Sequence, residues 1–139
     1  MSLVQSVATI IDRRATGAAV ELTLAAPEMA RHLLPGQPVL VKAGPALSPY
    51  LRRTLYPVAL GADDFTLRIA PSADWGDAWL RVAPVGAELD VLGPVGRGFA
   101  LDGGIREMMC VGEGEAAWRL LPLVTWADAA GIAVALVVG

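Results

Sequence analysis

From Val4 to Ile11 and again from Ala18 to Ala25 the chain alternates or runs apolar over strand lengths. In the second stretch Glu21 and Thr23 interleave with Val20, Leu22 and Leu24, so that strand has one wet face. Asp12-Arg13-Arg14-Ala15-Thr16-Gly17 between them reads as a hairpin connection. Pro35-Gly36-Gln37 turns the chain into a strand from Pro38 to Ala43, and Gly44, Pro45, Ser48 and Pro49 make a loop leading to Arg52-Arg53. Leu55 to Leu60 is strand-like, Gly61-Ala62-Asp63-Asp64 is a turn, and Phe65 to Ala70 is a strand with Thr66 and Arg68 on its outer face. Pro71 to Trp79 reads as irregular or briefly helical, and Glu88 to Leu92 is a last short strand closed by Gly93-Pro94. Short strands at this spacing, punctuated by Gly and Pro, predict a small antiparallel barrel or sandwich.

The pattern changes at Asp102-Gly103-Gly104. Glu107 to Val111 is an unbroken apolar strand, Glu115 to Ala130 has the length of a helix, and Ile132 to Val138 is a second, β-branched run. Strand, helix, strand with no wet face on either strand is the pattern of a parallel βαβ unit, and Gly131 supplies the helix stop. The expected organisation is a β-barrel over residues 1–103 and a single βαβ segment over residues 104–139. Two parallel strands and one helix are too few for a dinucleotide-binding domain. The segment is therefore expected either as a truncated α/β domain or as a stub packed on the barrel or on another copy. Ile132 to Val138 should lie beside Glu107 to Val111, with a homodimer contact through the 107–139 segment covering part of the apolar edge.

Composition narrows the function classes. The chain has 139 residues, 55% of them hydrophobic and 18% charged, which argues for a sizeable core and against a disordered linker. A formal net charge of -3 offers no electrostatic case for nucleic acid. The most apolar run, Ala129 to Gly139, is about half of the roughly 20 residues a spanning helix needs, so no membrane partner is expected. Met1 to Val7 has neither a basic leader nor a compact apolar core, which reads as a cytoplasmic protein. Cys110 is the sole cysteine, so this chain alone builds neither a disulfide nor an iron-sulfur site, and its apolar neighbours Met108, Met109 and Val111 predict a buried, inert thiol. His32 is the sole histidine and reads as a turn residue; Trp75 and Trp79 read as packing at a barrel end, or as a platform for an adenine ring. Asp74 and Asp77 lack the further oxygens a cation site requires, and no residue is singled out as catalytic.

Four segments in this order resemble landmarks of the ferredoxin reductase superfamily, and most closely the electron-transfer subunits of dihydroorotate dehydrogenase. They are Pro35-Gly36-Gln37-Pro38-Val39, Leu51-Arg52-Arg53-Thr54-Leu55, Leu89-Asp90-Val91-Leu92-Gly93-Pro94-Val95-Gly96-Arg97-Gly98-Phe99 and Val111-Gly112-Glu113-Gly114. The resemblance covers almost the whole chain. It implies a mainly β fold, a six-stranded antiparallel Greek-key barrel holding FAD, followed by an α/β domain for a nicotinamide dinucleotide. It also implies a [2Fe-2S] cluster on a cysteine-rich segment, whose cysteines this chain lacks.

Carried over by that resemblance, Arg53 holds the flavin's diphosphate, since a planar, permanently charged fork of donors suits it. Thr54, Leu55 and Tyr56 border the flavin, and Gly96, Gly98 and Phe99 shape its far side. Three departures bear on the cofactor. Tyr56 stands where the family has a small hydroxyl. Ala70 to Trp79 replaces a Gly-Thr pair that receives phosphate at a helix start; Ser72 is the substitute contact, Pro71 has no N–H, and Asp74 and Asp77 bring negative charge. A carboxylate some 4 Å from a phosphate costs on the order of 1 to 4 kcal/mol. Gly112 and Gly114 keep the dinucleotide loop's glycines but are flanked by Glu113 and Glu115, so NAD is not expected. Two readings follow: a flavin-binding electron-transfer module that works with a redox partner subunit, or a cofactor-free degenerate relative that serves as a binding or assembly domain.

Overall fold

A computed structural model describes residues 3–44 and 52–139; Met1, Ser2, the loop positions Pro45, Ser48 and Pro49, and Leu51 of the second landmark lie outside the described residues. Strands β1 (Val4–Thr16), β2 (Ala19–Ala25), β3 (Val39–Lys42), β4 (Arg53–Leu55), β5 (Pro57–Leu60), β6 (Asp64–Ile69) and β7 (Glu88–Gly93) form one antiparallel sheet in the order β4-β3-β7-β1-β2-β6-β5. The outermost strands, β4 and β5, are consecutive in the chain with only Tyr56 between them. The sheet therefore curls until its two edges meet there, giving a nearly closed barrel. The strand expected over Leu55 to Leu60 starts earlier, at Arg53, and breaks at Tyr56, so the six expected strands become seven. Leu55 pairs with Val39, whereas Pro57 pairs with Leu67 and has no N–H with which to continue the β3 ladder.

The hairpin connection expected at Asp12 to Gly17 is instead the second half of β1. Ile11 is an extra residue at a bulge, since Ile10 faces Leu24 and Asp12 faces Thr23, and pairing runs on to Thr16 opposite Ala19. The turn is Gly17-Ala18 alone, with Gly17 at φ +61. Its polar residues look like loop because this stretch of β1 is exposed from Ile11 to Ala15, yet its backbone is laddered to the buried residues of β2. Inside the barrel, Ile10, Leu22, Leu24, Val39, Val41, Phe65, Leu67, Leu89 and Val91 form the core. The alternation of β2 and β6 sends Leu22, Leu24, Phe65 and Leu67 inward. Helix α1 (Pro27–Ala30) closes the barrel with Met29, and α2 (Trp75–Val82) with Leu80.

Beyond the barrel, β8 (Glu107–Gly112) and β9 (Ala133–Val138) pair in parallel from Glu107 opposite Ala133 to Gly112 opposite Val138, the arrangement expected. The connecting helix differs from expectation: Gly114–Leu120 is 3₁₀, and only Leu121–Ala129 is α-helix, here α3. Pro122 lies in the first turn of α3, where its missing N–H costs nothing; in a continuous helix from Glu115 that N–H would have been owed to Trp118. The 3₁₀ segment and α3 pack on β5, which seats the small α/β part over the barrel's seam. Its sheet has no further layer among the described residues, and Met109, Val111, Val137 and Val138 are exposed. Among the described residues no helix is long and apolar enough to cross a membrane.

Leu22 is fully enclosed in the barrel, so Leu22→Ala should lower the unfolding free energy by about 3 kcal/mol, the cost of lost burial plus a cavity. Val111→Ala, on the open sheet, should stay within about 0.5 kcal/mol. Urea unfolding followed by circular dichroism measures both.

Candidate functional site

The residues singled out by the resemblance fall into three places. Thr54, Leu55 and Tyr56 border a cleft of about 130 Å³ between the barrel and the 3₁₀ segment, whose far wall carries Trp118 and Arg119. Tyr56 also borders a second cleft of about 260 Å³, with Gly36, Phe99, Gly112 and Arg119. Leu55 is half-buried and packs on the core, so the cleft floor is apolar and supported from beneath. Tyr56 sits in the seam and the Arg119 guanidinium lies over its ring, 4.1 Å from the centroid. Phe99 is carried to this wall because it lies across Gly36, where a Cβ would meet its ring at 2.7 Å. Gly112 is needed for a close approach as well: a Cβ there would lie 2.7 Å from the Ala117 Cα.

Gly96 and Gly98 belong to a different cleft of about 470 Å³, beside His32, Leu34, Gln37 and Arg97. Buried Gln37 holds that loop: its side-chain amide donates to the Gly96 carbonyl at 3.0 Å and accepts from the Leu34 N–H at 2.9 Å. Gly114 starts the 3₁₀ segment at φ +56, with its N–H toward the Gly139 carbonyl. Neither acid beside it caps a classical helix start: Glu113 makes no capping bond, and Glu115 pairs with Arg68.

Arg53 and Ser72 meet at the start of α2. Nη1 of Arg53 donates to Asp74 Oδ1 at 2.7 Å, and its buried Nε lies 2.7 Å from Asp77 Oδ1 without the alignment of a hydrogen bond. Asp74 is the N-cap of α2, accepting from the Gly76 N–H at 2.7 Å and the Asp77 N–H at 3.4 Å. The Ser72 hydroxyl accepts from the Asp74 N–H at 3.0 Å. The Gly76 N–H draws the Asp74 carboxyl below the ordinary carboxylate range, against the opposing effect of desolvation and with added help from Arg53 and the Asp77 N–H.

Sequence reasoning missed Arg68. Expected simply on the outer face of its strand, it is 10% exposed and held by several partners. Nη1 donates to Thr16 Oγ1 at 2.6 Å and lies 3.5 Å from Glu21, Nε donates to Glu115 at 3.0 Å, and the guanidinium lies over Trp118 at 4.0 Å. Glu21, itself buried, is shared with Arg14 at 2.6 Å. The available signal was strand register: Glu21 and Arg68 are direct cross-strand partners on the wet face. Trp75 is exposed, whereas Trp79 packs on the core.

No known protein family profile matches the chain, and no curated protein sequence does. Solved structures do match it. It is similar to an NADH-dependent reduced ferredoxin-NADP oxidoreductase studied for flavin-based electron bifurcation, with a TM-score of 0.80 and 18% identity over 96% of this chain and 48% of that one. It is similar to the ferredoxin reductase in carbazole 1,9a-dioxygenase, with a TM-score of 0.80 and 22% identity over 99% of this chain and 42% of that one. The flavohem-like FAD/NAD binding domain of nitric oxide dioxygenase from Vibrio cholerae O1 biovar El Tor aligns with a TM-score of 0.75 and 14% identity over 95% of this chain and 61% of that one. The chain spans about half the length of these structures. At such identities the likeness establishes the fold: a mainly β barrel with a small α/β part, of the ferredoxin reductase type.

Two outcomes check this geometry. Trp118→Ala removes the ring from Arg68 and should cost about 1 to 2 kcal/mol in urea unfolding. The lowered pKa of Asp74 adds stability that is complete above its unfolded value and is lost as pH falls through its folded value. The thermal midpoint of the wild type should therefore exceed that of Asp74→Asn at neutral pH, and the gap should close as pH drops below about 4.

Proposed function

We propose that this chain is a flavin-binding electron-transfer domain of the ferredoxin reductase type, related to the electron-transfer subunit of dihydroorotate dehydrogenase, and that it works with a redox partner subunit. The observation that carries this reading is the agreement of the fold over nearly the whole chain, with Arg53-Thr54-Leu55-Tyr56 on the barrel's closing edge. The ring half of a flavin suits the residues present: Leu55 offers an apolar floor, and Tyr56 and Phe99 offer aromatic edges beside the clefts. The diphosphate half suits them poorly, because the cation that would meet it is already paired with two carboxylates. A bound flavin would supply the one- and two-electron chemistry; Leu55 and Phe99 would border its ring from the two clefts that meet at Tyr56, whose ring Arg119 covers.

The open parallel sheet is read as a contact with a second copy, since Met109, Val111, Val137 and Val138 expose apolar surface that the α/β layers of the matched fold type ordinarily bury. A second reading, a cofactor-free binding or assembly domain, is favoured by one observation, the pairing of Arg53 with Asp74 and Asp77.

Titration of purified protein with FAD, followed by flavin fluorescence, should show saturable quenching. Leu55→Asp, shown folded by its melt, should weaken it about tenfold by placing a charge against an apolar ring. Absence of saturable quenching in the wild type would leave the cofactor-free reading. Light scattering through a dilution series should show a dimer dissociating; monomer at every concentration would remove the second copy.

A further inference from the structure

Arg53 reaches the start of α2 with its stem pressed against the helix, so closely that a Cβ on Gly76 would lie 2.7 Å from Arg53 Cδ. Most of what this corner could offer an anion is already turned toward the chain's own carboxylates. The guanidinium faces Asp74 and Asp77 at 2.7 Å each, on two different nitrogens. Two of the three free N–H groups that begin α2, those of Gly76 and Asp77, point at Asp74 Oδ1. The Ser72 hydroxyl receives the Asp74 N–H. One positive charge meets two negative ones, so the corner carries net negative charge and repels a phosphate.

We infer that the chain occupies its own anion corner: the carboxylates of Asp74 and Asp77 take the place on Arg53 and at the start of α2 that a flavin diphosphate would take, so a flavin is held by its ring alone. The last clause rests on the flavin reading; the self-occupation does not. An internal carboxylate competes at an effective concentration of at least about millimolar, because it never leaves the vicinity of its partner. A diphosphate must displace two such groups and lose the cap of α2 in doing so. Leu55, Tyr56 and Phe99 face no such competitor for an uncharged ring, although Arg119 shares Tyr56. The ligand class follows: an isoalloxazine-type aromatic without a phosphate requirement.

The test uses riboflavin, FMN, FAD and inorganic pyrophosphate as probes, on the wild type, the double variant Asp74→Asn/Asp77→Asn, and that variant with Arg53→Ala added. Asparagine keeps a capping side chain at position 74, so α2 retains its start. Wild type should bind the three flavins with dissociation constants within about threefold of one another, and pyrophosphate should leave its melting temperature unmoved. The double variant should gain a melting-temperature rise with pyrophosphate and prefer FAD to riboflavin by about tenfold, and Arg53→Ala should erase both gains. Asp77→Asn alone, which leaves the cap intact, should show the same gain at smaller size and serves if the double variant does not fold. Pyrophosphate stabilisation of the wild type that Arg53→Ala removes would overturn the inference, as would asparagine variants that gain nothing. Should no protein bind any flavin while pyrophosphate still stabilises the asparagine variant, the self-occupied corner stands and the flavin reading falls.

Discussion

Closure of the barrel at Tyr56 is the constraint from which the remaining geometry follows. One extended segment must serve two edges, β4 against β3 and β5 against β6, and it changes partner within a single residue. That requirement sets Arg53 at the end of the sheet nearest α2 and leaves Tyr56 in the seam, available to the 3₁₀ segment that settles over it. The core beneath is filled by branched and aromatic side chains, so the seam and both clefts rest on a packed interior.

The second organising force is the need to pair buried charge. Glu21 and Arg68 face one another across β2 and β6 where two polar positions alternate out of the core, and covering them requires complementary partners. Arg14, Thr16, Glu115 and the Trp118 ring provide these, from the far end of β1 and from the 3₁₀ segment. The polar face of the barrel is thereby the seat of the small α/β part. The same principle acts at Arg53, where the partners come from α2 and stand where an anionic ligand would otherwise be received.

Much of the fold was legible in the chain. The alternation in Ala18 to Ala25 and Phe65 to Ala70, the Pro-Gly turns, and the change to unbroken apolar runs after Glu107 identify a barrel followed by a βαβ unit, because period and punctuation are local properties. The errors share a cause. Asp12 to Thr16 looks like loop by composition, but a strand end exposed to solvent is polar and still laddered to its neighbour. Glu115 to Leu120 looks like α-helix by length, but Pro122 withholds the N–H that such a helix would need.

At the candidate site, the sequence by itself determined the chemical inventory: an Arg just before a strand, two acids in a stretch read as irregular or briefly helical, and apolar or aromatic residues after the Arg. It also established that the acids oppose an anion, since sign and residue type require no coordinates. Only the tertiary structure decided how that inventory is spent. Asp74 and Asp77 converge on two of the three guanidinium nitrogens of Arg53, Gly96 and Gly98 part from Phe99 into another cleft, and Arg68 becomes the anchor of the α/β part. These outcomes depend on distances between residues far apart in sequence, which barrel closure and the need to neutralise buried charge impose together, and which no local pattern encodes.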